Sequence, residues 1–385
     1  AAAAAASGAA SNGGAPGGDE ATRTSPSGLF MRTTAPSRAA ELQKDLDSGR
    51  ESRDCSPVPS HRSPRSPQKD RPDRIEHMRP LKFLGAGAFA NVFMARHAVT
   101  GELYAMKSIL KALALKQNKH RQVIAEKDAL FACDHHCIIR YRASFSDAQH
   151  LYLLMELALG GELFSLLDDQ GRLDETQCCF YASSLVLALE HLHVKGFIYR
   201  DLKPENLLLD GRGFLKLADL GLAKHTQRAW TLVGTPEYVA PEVLRGEGAT
   251  QAVDWWQLGV LIFEMLTGRL PFEADDDAEL FIAIRRGEYE WPGADGKKIE
   301  LPSATVKELV ESLLRHALPG DSPAASRNNS AREEELCASP AGQRGRDVAA
   351  GLCRLGSGGR DASEVMDHPW FGGVDWAALA VGEVT

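Results

Sequence analysis

Between two apolar runs, Asp201 to Asn206 (DLKPEN) place two acids, a base, a proline and an amide within six positions. Neither the strand nor the helix period fits them, so they read as a loop joining a helix to a short strand. Loops held by a rigid scaffold are where chemistry concentrates. Phosphoryl transfer uses each of these residue types. Asp201 can accept or orient a hydroxyl proton, Lys203 can neutralise charge on the transferring group, and Asn206 can offer a neutral oxygen to Mg2+. Pro204 stiffens the loop between them. A second carboxylate for the metal is Asp219 in ADLGLAK, after the short strand LKLA, with Gly221 behind it for a tight turn.

Earlier in the chain, GAGAFANV (Gly85 to Val92) carries glycines that let a backbone approach phosphate oxygens, although a plain β-hairpin turn would use the same residues. Lys107, in YAMK, falls on the next strand but one, facing the space beneath those glycines; an isolated strand lysine is ordinarily just solvated. Glu126 sits in a helical stretch with Val123 and Leu130 on one face. It can pair with Lys107 and hold the ammonium at two phosphates, or it is an ordinary helix-surface glutamate.

These residues need elements to position them, and composition bounds those. With 385 residues, 44% of them hydrophobic and 25% charged, the chain can bury the core of one large or two modest domains. A net charge of -8 argues against a nucleic-acid partner, which would recruit phosphate with excess cations. The longest apolar run, Trp255 to Leu266, is too short to cross a bilayer and carries Gln257 and Glu264, so a buried helix is expected and no transmembrane segment. Seven scattered cysteines, an odd number with no CxxC pair and no signal-peptide pattern, fit a reducing compartment, cytoplasmic or nuclear.

Residues 1–77, rich in Ala, Gly, Ser and Pro and then in Ser-Pro pairs between arginines, have too little apolar surface to offset ordering entropy and read as a disordered tail. From Met78 the texture becomes strand-like (LKFLGAG, NVFMARH, YAMKSIL), with one helix near Gln122 to Phe131 and two more strands, Arg140 to Ser146 and His150 to Glu156. That is a small, mainly β unit over 78–158. Past Gly160-Gly161 apolar residues recur every three and four positions, a helical unit over 159–376, interrupted by low complexity at 319–350 that reads as an exposed insertion.

In order and approximate spacing, GAGAFANV, YAMK, Glu126, YRDLKPEN, ADLG, APE (Ala240 to Glu242) and VDWW (Val253 to Trp256) resemble the eukaryotic protein kinases, over roughly residues 80 to 376. WTLVGTPEYVAPE, VDWWQLGVLIFEMLTGRLPF and the late RLG, HPWF and DW are similar to the AGC group of basophilic, cyclic-nucleotide-dependent kinases. The resemblance implies an α+β bilobal fold and the cofactors ATP and Mg2+. It implies that Leu84, Gly85, Ala86, Gly87, Ala88, Phe89 and Val92 cover the nucleotide. Ala105, Met155, Glu156, Ala158, Glu162 and Leu208 would surround adenine and ribose, with Lys107 and Glu126 at the phosphates. Asn206 and Asp219 would hold Mg2+, and Asp201 and Lys203 would serve catalysis. Lys203, and Thr235 before Pro236, match serine/threonine kinases. Glu162, Glu205 and Glu264 would receive substrate arginines two and three residues before the hydroxyl, and Leu232, Pro236 and Val239 would form an apolar slot after it. Thr231 stands at the activating phosphosite, with Arg200 and Lys224 as its cationic partners. The implied partners are protein substrates and a separate cyclic-nucleotide-binding regulatory subunit.

Several positions depart from the family pattern. Tyr199 stands where most kinases have histidine, as it does in this group, and Leu220 replaces the phenylalanine of the metal motif while still expected to stack among Leu130, Tyr141 and Tyr199. Gln122 replaces a helix histidine that links the phosphosite to Glu126. The end at 377–385 lacks the aromatic tail that the group folds over its small lobe. Arg354, just after the insertion, matches the arginine that pairs with Glu242. A decoy is CDHHC (Cys133 to Cys137), with the letters of a palmitoyltransferase site or of zinc ligands; the membrane spans and converging ligands those need are missing, and a turn between helix and strand fits better. A nucleotide-binding scaffold without catalysis is the runner-up, opposed by intact Lys107, Asp201, Asn206 and Asp219. A small-molecule phosphotransferase is opposed by the peptide platform that GTPEYVAPE shapes.

Overall fold

A computed structural model describes residues 74–87, 90–292, 302–316 and 354–383. The expectations for the tail before residue 74 and for the insertion at 319–350 fall outside them. Five strands, β1 (Met78–Ala86), β2 (Ala90–His97), β3 (Leu103–Leu110), β4 (Tyr141–Ser146) and β5 (His150–Met155), form one antiparallel sheet in the order β1-β2-β3-β5-β4. Side chains alternate across such strands. Leu153 accordingly enters the main core while its neighbour Leu154 joins Met78, Ala95, Tyr104 and Met106 in a second cluster on the opposite face. Lys107 shares the face of Ile109, and register sets it opposite Val92.

Short helix α1 (Lys111–Lys116) leads to α2 (His120–Ala132), whose buried face presents Val123, Glu126, Ala129 and Leu130. A carboxylate among apolar residues on that face needs a partner, and Lys107 supplies it.

Beyond β5 the chain is mainly helical. The two-residue strand β6 (Gly161–Glu162) precedes α3 (Leu163–Gln170); α4 (Glu175–Val194) starts at a capping box in which Asp174 and Gln177 satisfy each other's free amides. Next come β7 (Phe197–Ile198), β8 (Leu207–Leu209), β9 (Leu215–Leu217) and β10 (Lys224–His225), then α5 (Pro241–Leu244). Helix α6 (Ala252–Thr267) is apolar around nearly its whole circumference and buries all but Glu264 and Thr267, as a helix at the centre of a core must. After it come α7 (Asp277–Arg286), α8 (Ala304–Leu313), α9 (Ala362–Met366) and α10 (Trp376–Val381), of which α8 packs on α6 and α9 and α10 on α4. Asp276 and Ser303 cap α7 and α8 with their side chains, so polar residues at both starts match their places in sequence. Among the described residues, no helix is long and apolar enough to cross a membrane.

Candidate active site

The loop Asp201–Asn206 runs from β7 into a 3-10 turn, Pro204–Asn206, and then β8. Asn206 donates its side-chain amide to the Asp201 carbonyl at 2.7 Å and to Asp201 Oδ2 at 2.8 Å. Its own Oδ1 is thereby turned away from that carboxylate. Lys203 Nζ lies 4.0 Å from Asp201 Oδ1 and donates to Thr235 Oγ1 at 3.1 Å. Burial raises the pKa of Asp201, aided by Asp219 and Glu205 and opposed by Lys203 and Asn206. A carboxylate shifted that way is a stronger proton acceptor than an ordinary aspartate.

Two side chains on α6 hold the loop. Asp254, fully buried, accepts the amides of Tyr199 at 2.9 Å and Arg200 at 2.8 Å. Gln257 accepts from Leu202 N and donates to the Arg200 carbonyl. Between them Arg200 sits at φ +70°, where a side chain other than glycine's is strained and must be held. Within VDWW the only sequence signal of Asp254's task is an acid inside an otherwise apolar helix.

Lys107 Nζ lies 2.5 Å from Glu126 Oε1 and 3.6 Å from Asp219 Oδ1. Burial works against the ammonium, yet the two carboxylates outweigh it and keep its pKa above the ordinary lysine value. Asp219 itself is half exposed, at φ +45°, with Oδ1 accepting from Gly221 N at 3.1 Å. A Cβ on Gly221 would stand 2.9 Å from Asp219 Oδ1 and 3.2 Å from the Gln122 amide, which is why the turn needs glycine there. Gln122 therefore faces the Asp219 turn. Leu220, Leu130 and Tyr199 are buried in the main core with Tyr141 packed against it.

The glycine turn is closed by Gly87 N donating to the Ala90 carbonyl at 2.7 Å. Leu84, Gly85, Ala86 and Gly87 lie on and just past β1, Val92 pairs across from Gly85, and Ala105 pairs with Met155. Ala88 and Phe89 lie outside the described residues. The Glu156 amide donates to the Arg140 carbonyl, and its carboxylate turns to Arg140 N and to Lys216 Nζ, 3.3 Å away. Ala158 and Leu208 are half-buried, and Glu162 is exposed opposite Leu208.

Glu264 is joined to the Tyr238 hydroxyl by a hydrogen bond. Its carboxyl is pushed up to about 6, chiefly by burial, with Glu205 and Glu237 adding to the shift and Tyr238 opposing it. Glu205 and Glu264 are thus brought together, and Glu237, from GTPEY, joins them without having stood out in sequence. Of the apolar trio, Leu232 is exposed and Pro236 half-buried, whereas Val239 is buried against a small cavity shared with Arg200 and Thr231. Arg200 donates to Thr231 Oγ1 at 3.0 Å and to the Leu222 carbonyl at 2.6 and 3.0 Å, spanning catalytic loop, metal-motif turn and activation segment. Lys224 is exposed on β10, paired with Ile198. Arg354 grips Glu242 with two nitrogens at 2.5 and 2.9 Å, so the insertion leaves this ion pair intact.

The oxygen donors fit a hard divalent ion. Mg2+ takes few protein ligands and completes an octahedron with phosphate and water oxygens, and Asp219 with the free oxygen of Asn206 provides such a partial set. Among the described residues, no group of three or more His, Cys, Asp or Glu is arranged to hold a metal. In CDHHC, burial pushes the Cys133 thiol up to about 11 and the Cys137 thiol up to about 12, so both thiols are unreactive packing groups.

Residues 78–323 match the protein kinase domain family. The chain belongs to the protein kinases. It is 35% identical over 355 residues to the human cAMP-dependent protein kinase catalytic subunit PRKX, covering 91% of this chain and 86% of that one. It is 34% identical to the cAMP-dependent protein kinase catalytic subunit of Dictyostelium discoideum, over 80% of this chain and 41% of the relative. To mouse ribosomal protein S6 kinase alpha-2 it is 36% identical, over 79% of this chain and 37% of that kinase. The chain spans less than half the length of these last two. With such relatives it is a protein serine/threonine kinase of the AGC group, and its antiparallel sheet followed by a helical unit is the bilobal kinase fold.

Proposed function

We propose that this kinase transfers the γ-phosphoryl group of Mg-ATP to serine or threonine in protein segments that carry arginine two and three residues before the hydroxyl. One observation carries the reading: the Lys107–Glu126 pair and Asp219 stand assembled at the same time as the contacts of Asn206 with Asp201 and of Lys203 with Thr235. Phosphoryl transfer is mostly positioning and charge stabilisation, which needs every one of these parts in place. Lys107 holds two phosphates, Asn206 and Asp219 offer oxygens to the metal, and the backbone around Gly85 and Gly87 covers the nucleotide. When bound, Mg2+ neutralises charge on the phosphate oxygens. Asp201 orients the substrate hydroxyl and takes its proton as the new P–O bond forms, and Lys203 offsets charge on the moving phosphoryl group while ADP leaves.

Glu205, Glu237 and Glu264 make an anionic surface beside that point, and arginine suits it because a guanidinium bonds carboxylate oxygens in pairs. Relatives named as cAMP-dependent catalytic subunits support a separate cyclic-nucleotide-binding regulatory subunit as partner; capture of such a subunit from native lysate, lost on adding cyclic AMP, tests that part. Among the described residues Cys133, Cys137, Cys178 and Cys179 are free, which supports a reducing compartment, cytosol or nucleus. A positional peptide library phosphorylated with labelled ATP tests substrate choice. Arginine at the two upstream positions should be selected, and a preference for acidic or proline-directed sequences overturns it.

A further inference from the structure

Asp254 does more than receive two loop amides. Its Oδ2 also lies 2.8 Å from His193 Nε2, on the last turn of α4. The His193 side chain is 1% exposed, and its other nitrogen, Nδ1, lies 2.9 and 3.1 Å from the two oxygens of Asp361. Asp361 stands just before α9 at φ +46°, ψ −121°, a conformation suited to glycine. It makes no side-chain cap to that helix. Such strain persists where the surroundings hold it, and here Trp255 Nε1 donates to the same carboxylate at 2.7 Å.

A neutral imidazole has one N–H and one lone pair. With carboxylate oxygens within 2.9 Å of both ring nitrogens, a neutral ring would aim its lone pair at an anion, so the ring carries two protons. The charged groups facing it are Asp254 from α6 and Asp361 from the turn before α9. Glu190, one turn back on α4, faces Asp361, and burial together with that carboxylate raises its own pKa. Burial opposes the charge on His193, but hydrogen bonds to the two aspartates win and lift its pKa to about 9.

We propose that Asp361 is a positioning residue for phosphoryl transfer: it completes a carboxylate–imidazolium–carboxylate chain with His193 and Asp254 that fixes the backbone carrying Asp201. Asp361 touches no reacting group. The inference rests on the role given to Asp201. Removing the Asp361 charge weakens the hold on the Nδ1 proton; once that proton is lost, Nε2 keeps its N–H on Asp254 but as a neutral donor, and the weaker bond loosens the placement of the carboxylate that receives Tyr199 N and Arg200 N.

The test compares full-length wild type with Asp361→Asn and Asp361→Gly, the second of which suits the backbone. Steady-state kinetics from pH 6 to 9 are combined with NMR of the histidine ring and of the Tyr199 and Arg200 amides. Both variants should lose about three- to tenfold in kcat near pH 8, with KM for ATP and peptide within about twofold, and should approach wild type near pH 6. His193 should titrate lower in the variants than in wild type, with both amides moving at the same midpoint. The amide titration reads the loop without turnover, so an inactive wild type would refute the kinase chemistry and leave this inference still decided by NMR. Unchanged kcat at every pH, a loss that is independent of pH and follows thermal stability, or amides that ignore the His193 titration would each overturn it.

Discussion

At the scale of single residues, the account turns on which carboxylate does what. In the proposed mechanism Asp201 acts on the hydroxyl and not on the nucleotide, so Asp201→Asn should lower the chemical step by about 10²- to 10⁴-fold with ATP affinity nearly unchanged, measured by single-turnover kinetics alongside nucleotide titration. Glu264 offers a pH signature. Its carboxyl, raised to about 6, is ionised at neutral pH and protonates as pH falls, losing its attraction for guanidinium. The kcat/KM ratio of an arginine peptide over its alanine counterpart should therefore fall roughly fourfold between pH 7 and about pH 5.5. Taking a ratio cancels the titration of Asp201, and a flat ratio would remove Glu264 from substrate recognition. That Asp201, Lys203 and Asn206 belong to one cluster was legible in sequence because loops rarely need such residues at such spacing. Glu237 and Asp254 were not, since a carboxylate next to a Pro or inside a helix declares its task only when the fold brings Tyr238 or the loop amides to it.

Among elements, the activation segment and catalytic loop are joined at two points besides the Lys203–Thr235 hydrogen bond. Gly234 adopts φ +102°, and a Cβ there would come within 2.9 Å of the Arg200 carbonyl. The other point is Arg200 on Thr231 Oγ1. A phosphate on Thr231 would add about -1.5 to -2 charges and three acceptor oxygens, turning the guanidinium–hydroxyl contact into a guanidinium–phosphate ion pair. Thr231→Ala should lower kcat/KM about tenfold or more, and mass spectrometry of the active enzyme should find Thr231 phosphorylated. Full activity with unmodified Thr231 would contradict the switch. Strand and helix order was legible from apolar periodicity, and helix α2 extends the expected Gln122–Phe131 stretch by two residues at the start and one at the end. Val239 shows the limit: apolar character alone did not tell that it is buried while Leu232 is exposed.

For the whole molecule, Arg354 and Glu242 tie the segment after the insertion to the end of the activation segment. Burial alone would raise the Glu242 pKa, but Arg354 holds it below the ordinary value. The stability this contributes is present above the ordinary carboxyl range and is lost as pH falls through the lowered folded pKa. Arg354→Ala strands a buried carboxylate and should cost about 3–5 kcal/mol in denaturant unfolding, and its stability should fall less steeply than wild type's below about pH 4.5. The kinase fold was legible because motifs of different elements kept one order along the chain. His193 and Asp361, 168 positions apart, carried no such signal. The central claim, that one assembled site moves phosphate from ATP to protein hydroxyls, is tested most directly by incubating purified full-length enzyme with γ-labelled ATP, Mg2+ and a serine peptide bearing upstream arginines. The account predicts labelled phosphoserine from wild type and at least about a hundredfold less from Asp201→Asn that still binds ATP; equal labelling by the two, or none by a wild type that binds both substrates, would contradict it.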